Sequence, residues 1–294
     1  MIEIHNLTKD FGRNKGVFDI SFTIKEGEIF GFLGPNGAGK TTTIRHLMGF
    51  LNADAGNCTI NGLDCRKQTA EIMKNVGYLP GEPALFDSMT GIEFFNFIAK
   101  LRHKTEMSLC KQLIERFELD AITKIRKMSK GMKQKVAIVT AFMSDPKILI
   151  LDEPTSGLDP LMRVEFDNMI CEQKKMGKTI LMSSHNFEEV ERNCDTIGII
   201  RHGKMVCIED IHTLLSKKKK NYTIVFATEN EALKFVSTTK LESKTPMFSS
   251  VEVKAVENFN ILIQELQLFN VIDIQSETYT LEHLFMQYYG GNKS

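Results

Sequence analysis

The stretch Glu28 to Thr42, EIFGFLGPNGAGKTT, narrows the choice of fold more than any other part of this chain. An apolar run, Ile29 to Leu33, stops at Gly34, and Gly34-Pro35-Asn36-Gly37-Ala38-Gly39-Lys40-Thr41 then fits Gly-x-x-x-x-Gly-Lys-Ser/Thr. Thr42 to Met48 has the pattern of a helix, closed by Gly49. A buried strand, a glycine loop and a helix N-terminus together form a cradle for phosphate. Glycine lets the backbone wrap an anion with its N–H groups turned inward, and the helix dipole adds partial positive charge there. The segment Asn36, Gly37, Ala38, Gly39, Lys40, Thr41 and Thr42 is thus a candidate nucleotide site. Lys40 is placed to reach the β- and γ-phosphates, and the Thr41 hydroxyl to bind Mg²⁺.

A second constellation supports the first. Lys147 to Leu151 reads as a fully buried strand and delivers Asp152-Glu153 at its carboxyl end, where α/β sheets place ligands. Two adjacent carboxylates can simply face solvent. A phosphate-loop ATPase, however, needs such an acid to hold Mg²⁺, assigned here to Asp152, and Glu153 can polarise the attacking water as general base. The strand Thr179–Met182 ends in Ser183-Ser184-His185. A lone histidine is ordinarily a satisfied surface or core residue, but one at the end of a strand of the same parallel sheet can sense a γ-phosphate.

At 294 residues the chain suits one large domain or two smaller ones. Lys+Arg and Asp+Glu both number 37, so no nucleic-acid partner is expected. MIEIHNLTKD lacks a signal design, and apolar runs such as Val136–Met143 are too short to span a bilayer. A membrane part, if needed, is expected from another chain. The six cysteines form no Cys-x-x-Cys pair, which favours reduced, cytoplasmic thiols over a disulfide or zinc framework.

Along the chain, Ile2–Ile4 and Val17–Ile24 read as strands around a polar turn, Lys9–Lys15. Phe11 in that turn is either a loop aromatic or a platform for adenine. A short strand is expected around Cys58–Ile60, a helix over Gln68–Asn75 and a strand over Val76–Leu79. Thr90 and Glu93 form a capping box before a helix bearing Phe94, Phe95, Ile98 and Leu101. Met107–Phe117 is a second amphipathic helix, and a third, entered through Met128-Ser129-Lys130-Gly131-Met132, runs to Phe142. Asp159-Pro160 opens another helix, and Thr196–Ile200 with Met205–Ile208 reads as a hairpin around His202-Gly203.

Together these motifs resemble, over residues 1 to about 215, the ATP-binding subunits of ATP-binding cassette (ABC) transporters. GPNGAGKTT is similar to their Walker A motif, ILILDE (148–153) to Walker B, MSKGM (128–132) to the signature, SGLD (156–159) to the D-loop and His185 to the switch histidine. Phe11 matches the aromatic that stacks on adenine. The resemblance implies an α/β P-loop NTPase of ABC type, with a mixed sheet core, an antiparallel β subdomain and a helical subdomain at about 82–145. It implies ATP and Mg²⁺ as cofactors, and two copies, or one copy and a related subunit, sandwiching ATP. Ser129 and Gly131 would then bind γ-phosphate across the dimer, and Asp159 of the D-loop is a further nucleotide-binding candidate. The other implied partner is a separate transmembrane permease, holding the chain at the cytoplasmic face of the membrane. Two positions depart from the family pattern. Where the family usually has a Gln that meets the metal and the water, this chain has Gly81 followed by Glu82, so either Glu82 substitutes as the ligand or the contact is lost. Lys130 stands where the signature has glycine.

Beyond Lys217-Lys218-Lys219-Lys220, read as a solvated linker rather than a lipid-headgroup patch, strands and helices alternate through 217–294 as a small α/β accessory domain. The end, TYTLEHLFMQYYGG (278–291), is similar to the closing helix of ATPases serving drug and peptide-antibiotic exporters. The leading expectation is therefore an exporter ATPase. A soluble ABC ATPase and a low-turnover regulatory module are the alternatives.

Overall fold

The apolar runs beside the glycine loop and the acid pair become neighbouring strands of one sheet. A computed structural model describes residues 1–103, 106–216, 220–256 and 259–277. They fall into two compact units, Met1–Ile211 and His212–Ser294. The first contains, in order, β1 (Ile2–Asp10), β2 (Gly16–Ile24), β3 (Ile29–Leu33), α1 (Lys40–Leu47), β4 (Ala55–Ile60), β5 (Leu63–Asp64), α2 (Thr69–Asn75) and β6 (Val76–Leu79). There follow α3 (Gly91–Leu101), α4 (Ser108–Arg116), α5 (Lys130–Phe142), β7 (Ile148–Asp152), α6 (Pro160–Lys175), β8 (Thr179–Ser184), α7 (Phe187–Asn193), β9 (Thr196–Arg201) and β10 (Lys204–Asp210).

A six-stranded sheet has the order β10-β9-β3-β8-β7-β6, parallel except for the β9–β10 hairpin. β3, β7 and β8 are buried at every residue, as continuous apolar strands of a parallel sheet must be. A four-stranded antiparallel sheet, β2-β1-β4-β5, forms a second layer. One apolar cluster joins Ile4 and Ile20 of this layer to Phe30 and Phe32 of β3 and to Ile44 and Leu47 of α1. Phe22 stacks on Phe30 with ring centroids 4.8 Å apart. The mixed sheet, antiparallel layer and helical segment (α3 to α5) are those expected for the ABC type.

Two boundaries differ from the sequence reading. β1 continues to Asp10, which pairs with Gly16, so the turn occupies only 11–15. The polar half of β1 lies on a sheet with one solvated face, where ladder hydrogen bonds tolerate polar side chains. For the same reason β4 begins at Ala55, well before its first buried residue, Cys58. Helix α7 was not foreseen; Phe187-Glu188-Glu189-Val190-Glu191-Arg192-Asn193 carries too little apolar periodicity. It forms because Asn186 caps it and because it docks on β3, where a Cβ at Gly31 would lie 2.4 Å from Val190 Cγ1.

Helix α8 (Ile211–Ser216) starts at the last residue of the first unit, and the second carries β11 (Lys220–Phe226), α9 (Glu229–Thr238), β12 (Ser250–Val256), α10 (Phe259–Leu266) and β13 (Val271–Glu277). Its sheet is antiparallel in the order β12-β11-β13. Tyr222, Ile224 and Phe226 alternate into a core with Phe235, Val251 and Leu262. The lysines at 217–219 and the closing segment 278–291 lie outside the described residues.

Candidate functional site

Parallel register puts the ends of β3, β7 and β8 side by side, so the loops that follow them converge. After β3 the chain turns through Gly39, at φ 116°, and enters α1 with no side chain capping its first amides. A Cβ at Gly39 would sit 2.7 Å from Val17 Cγ1, so the turn requires glycine on two counts. The first-turn N–H groups of an α-helix have no partner inside it, and Lys40, Thr41 and Thr42 of this first turn line an open pocket.

Lys40 is 5% exposed. Its Nζ donates to the carbonyls of Gly34 at 2.6 Å and Pro35 at 3.3 Å. It also forms an ion pair with Glu153 Oε1 at 3.1 Å. The second Glu153 oxygen, Oε2, lies 2.6 Å from His185 Nδ1. Thr41 Oγ1 donates to Asp152 Oδ2 at 2.8 Å, and the Ser183 hydroxyl donates to Oδ1 of the same carboxylate. Ser183 stands directly opposite Asp152 in the β7–β8 register. Lys40, Thr41, Asp152, Glu153 and His185 thus meet in one cluster. Tyr78, at the end of β6, is pushed up to about 12 by burial and then by the charge of Asp152.

An open pocket of 550 Å³ spreads from this cluster to the β1–β2 turn. Asn36, Gly37, Gly39 and Thr42 line it along the glycine loop, and Phe11, 55% exposed, lines the far end. Ala38 is buried and lies behind the loop, its carbonyl accepting from the Gly203 N–H at 2.9 Å. Lys15 and His202 line the same pocket. Neither was anticipated, because each is brought there by a hairpin turn rather than by a motif.

Ser129, Gly131 and Asp159 are not among the residues that line that pocket. Ser129 caps α5, its Oγ accepting from the Met132 N–H at 3.2 Å, and Asp159 caps α6, accepting from Met162 at 3.0 Å. A Cβ at Gly131 would meet the Gly157 carbonyl at 2.7 Å, whereas the stem of Lys130 lies across Gly157 without a clash. The tight approach therefore falls at Gly131, and Lys130 occupies the tolerant position. Gln134, buried in α5, ties this group to the first by donating to the Pro154 carbonyl at 2.7 Å. At Gly81 a Cβ would lie 3.3 Å from Asp152 Oδ2, so this residue borders the acid, while Glu82 is exposed.

A glycine loop on a helix N-terminus, a lysine in its mouth and two strand-end acids define a P-loop nucleotide-binding cassette. A model of the ABC transporter family matches residues 17–156. The ABC transporter ATP-binding protein YhcH of Bacillus subtilis (strain 168) is 33% identical over 299 residues, spanning 100% of this chain and 97% of YhcH. The linearmycin resistance ATP-binding protein LnrL of the same organism is 34% identical over 309 residues, spanning 99% and 98%. A solved ATP-binding subunit of an ABC transporter superposes with a TM-score of 0.66 at 30% identity, covering 73% of this chain and 91% of that one. The chain belongs to the ABC transporter family, as one of its ATP-binding subunits, and is an ATPase of that class.

Proposed function

We propose that this subunit powers an exporter by closing as a dimer on two molecules of ATP and reopening after hydrolysis. Residues 1–216 are the ATPase domain and 217–294 an accessory domain. The carrying observation is the division of the site. Lys40, Thr41 and Glu153 line one pocket, with His185 bonded to Glu153, while Ser129 and Gly131 are not among the residues that line it. A second copy, or a related subunit, would bring its Ser129, Gly131 and Asp159 to the γ-phosphate, where a helix N-terminus favours an anion. Asn36 to Thr42 cradle the phosphates, and Phe11 stacks on adenine.

Asp152 has the setting of a cation ligand. It is fully buried, receives only hydroxyl donors from Thr41 and Ser183 among the bonds described, and has no lysine or arginine partner among the described residues. Hydroxyl and carboxylate oxygens suit Mg²⁺, which Thr41 and Asp152 would hold, with Glu82 as a further ligand. Held there, the ion would supply positive charge to offset that of the phosphates. Glu153 takes the proton from the attacking water, and His185, bonded to Glu153, orients both.

Export is supported by the name of LnrL, a resistance protein similar over nearly the whole chain. No helix among the described residues is long and apolar enough to cross a membrane, so a permease partner would supply that part and hold this subunit at the inner face.

The Glu153→Gln variant tests the reading. Its kcat should fall about 100-fold or more, the scale of general-base catalysis. With Mg·ATP it should sediment as a dimer. A monomer at saturating ATP would contradict dimer closure. A low-turnover regulatory role is favoured by Gly81, which offers no side chain to Asp152. Equal, negligible rates in wild type and variant would select it.

A further inference from the structure

His185 sits in a short turn between β8 and α7, and one hydroxyl holds that turn closed. Ser184 Oγ accepts from the Asn186 N–H at 2.9 Å and donates to Glu189 Oε2 at 2.5 Å. Asn186 Oδ1 in turn accepts from the N–H groups of Glu188 at 2.9 Å and Glu189 at 3.4 Å. The Ser184 carbonyl accepts from Gly34 N–H at 3.3 Å, which joins the turn to the glycine loop. Glu189, Ser184 and Asn186 therefore form a closed ring of bonds around the backbone of His185.

Glu189 is costly where it stands. It is 7% exposed and Ser184 is 1% exposed. No lysine or arginine forms an ion pair with it among the described residues. Burial pushes its carboxyl above the ordinary range, and the hydroxyls of Ser184 and Thr155 pull it back. Asp167 on α6 and Glu153 at the end of β7, both acidic, raise it further. Asp167 is itself held by Arg192 and Asn193, each at 2.7 Å. A buried carboxyl without a cation destabilises the fold relative to an apolar side chain of the same size. The acceptor oxygen that it offers to Ser184 is a contribution set against that cost.

We propose that Glu189 is a positioning residue for ATP hydrolysis, which through Ser184 fixes the turn that sets His185 on Glu153. The inference rests on the roles given above to Glu153 and His185. Glu189 does not line the pocket around Lys40, and its effect on the reaction is assigned to the placement of His185.

The test compares kcat and KM for Mg·ATP in the full chain and in Glu189→Ala, Glu189→Gln, His185→Ala and the double variant His185→Ala/Glu189→Ala. Glu189→Ala should lower kcat about tenfold or more while KM stays within about twofold, since the phosphate loop is untouched. Glu189→Gln should recover most of the rate, because its amide oxygen still accepts from Ser184. The double variant should be no slower than His185→Ala alone, as expected for groups acting through one step. A wild-type kcat in Glu189→Ala beside an impaired His185→Ala would overturn this inference and leave the role of His185 intact. A wild-type kcat in His185→Ala would overturn that role and the inference with it. Losses that multiply in the double variant would show that Glu189 acts elsewhere. If Glu189→Ala does not fold, as judged by circular dichroism, Ser184→Ala takes its place. Loss of kcat at constant KM supports the inference, and an unchanged kcat refutes it.

Discussion

At Glu153 the backbone leaves β7 with φ 49°, a left-handed conformation that costs a non-glycine residue about 1–3 kcal/mol. Its N–H is held by the Ser183 carbonyl at 3.2 Å and by the Ser183 hydroxyl at 3.1 Å. The strain turns the carboxylate back towards Lys40 and His185. Lys40, Thr41, Asp152 and Glu153 could be named from sequence because a motif's spacing fixes the backbone between its members. Ser183, His202 and Glu189 could not, since each acquires its neighbour through strand register or a turn. His46, in the helix that begins at Lys40, shows the same limit. Its Nδ1 lies 2.8 Å from the Thr42 carbonyl, which can only accept, so Nδ1 carries the proton. Burial lowers its pKa first, and the Lys9 charge adds to that, against the raising effects of the Thr42 and Asn52 backbone and Asp54. With the folded pKa below the unfolded value of 6.5, the folded state binds fewer protons. Stability is then full above pH 6.5 and declines as pH falls through the folded pKa. Thermal melts at several pH values should show a smaller loss on acidification in His46→Asn, which keeps a donor to Thr42, than in wild type.

Among the elements, α3 is specified most locally. Thr90 Oγ1 accepts from the Glu93 N–H at 3.2 Å, and the Glu93 carboxylate accepts from the Thr90 N–H at 2.7 Å. This is the capping box visible in the sequence, and it fixes where the helix starts whatever the rest of the chain does. Phe94 and Phe95 then fall into the core, while Leu101 is left 62% exposed. Thr90→Ala should cost about 1 kcal/mol in urea unfolding, with the m-value unchanged. Helix α7 is the opposite case. Its cap, Asn186, is legible only once β8 is known to end at Ser184, and its one fully buried side chain, Val190, packs where glycine lets it approach β3. Strands β1 and β4 were read too short because ladder bonds outlast apolar alternation on a half-solvated sheet.

For the molecule as a whole, the order of motifs along the chain carried most of the fold. A parallel sheet with β3 between β8 and β9, and β8 between β3 and β7, places the glycine loop, the acid pair and the histidine at one edge. What the order could not convey is which turns close over the pocket, because Lys15 and His202 arrive from separate hairpins. The division between the Lys40 cluster and the Ser129 group is implied by the resemblance of the two stretches to different motifs, whereas their residue types alone read as two helix starts. The amides after Leu33, with Lys40 and Asp152, are expected to bind Mg·ATP. Calorimetric titration of the folded chain with Mg·ATP, beside Lys40→Ala, checks this. One saturable site per chain is expected, weakened at least about tenfold, or ~1.4 kcal/mol, by the substitution. A folded wild-type chain that gives no binding heat over a range of temperatures, or a Lys40→Ala variant that binds as tightly as wild type, would contradict it.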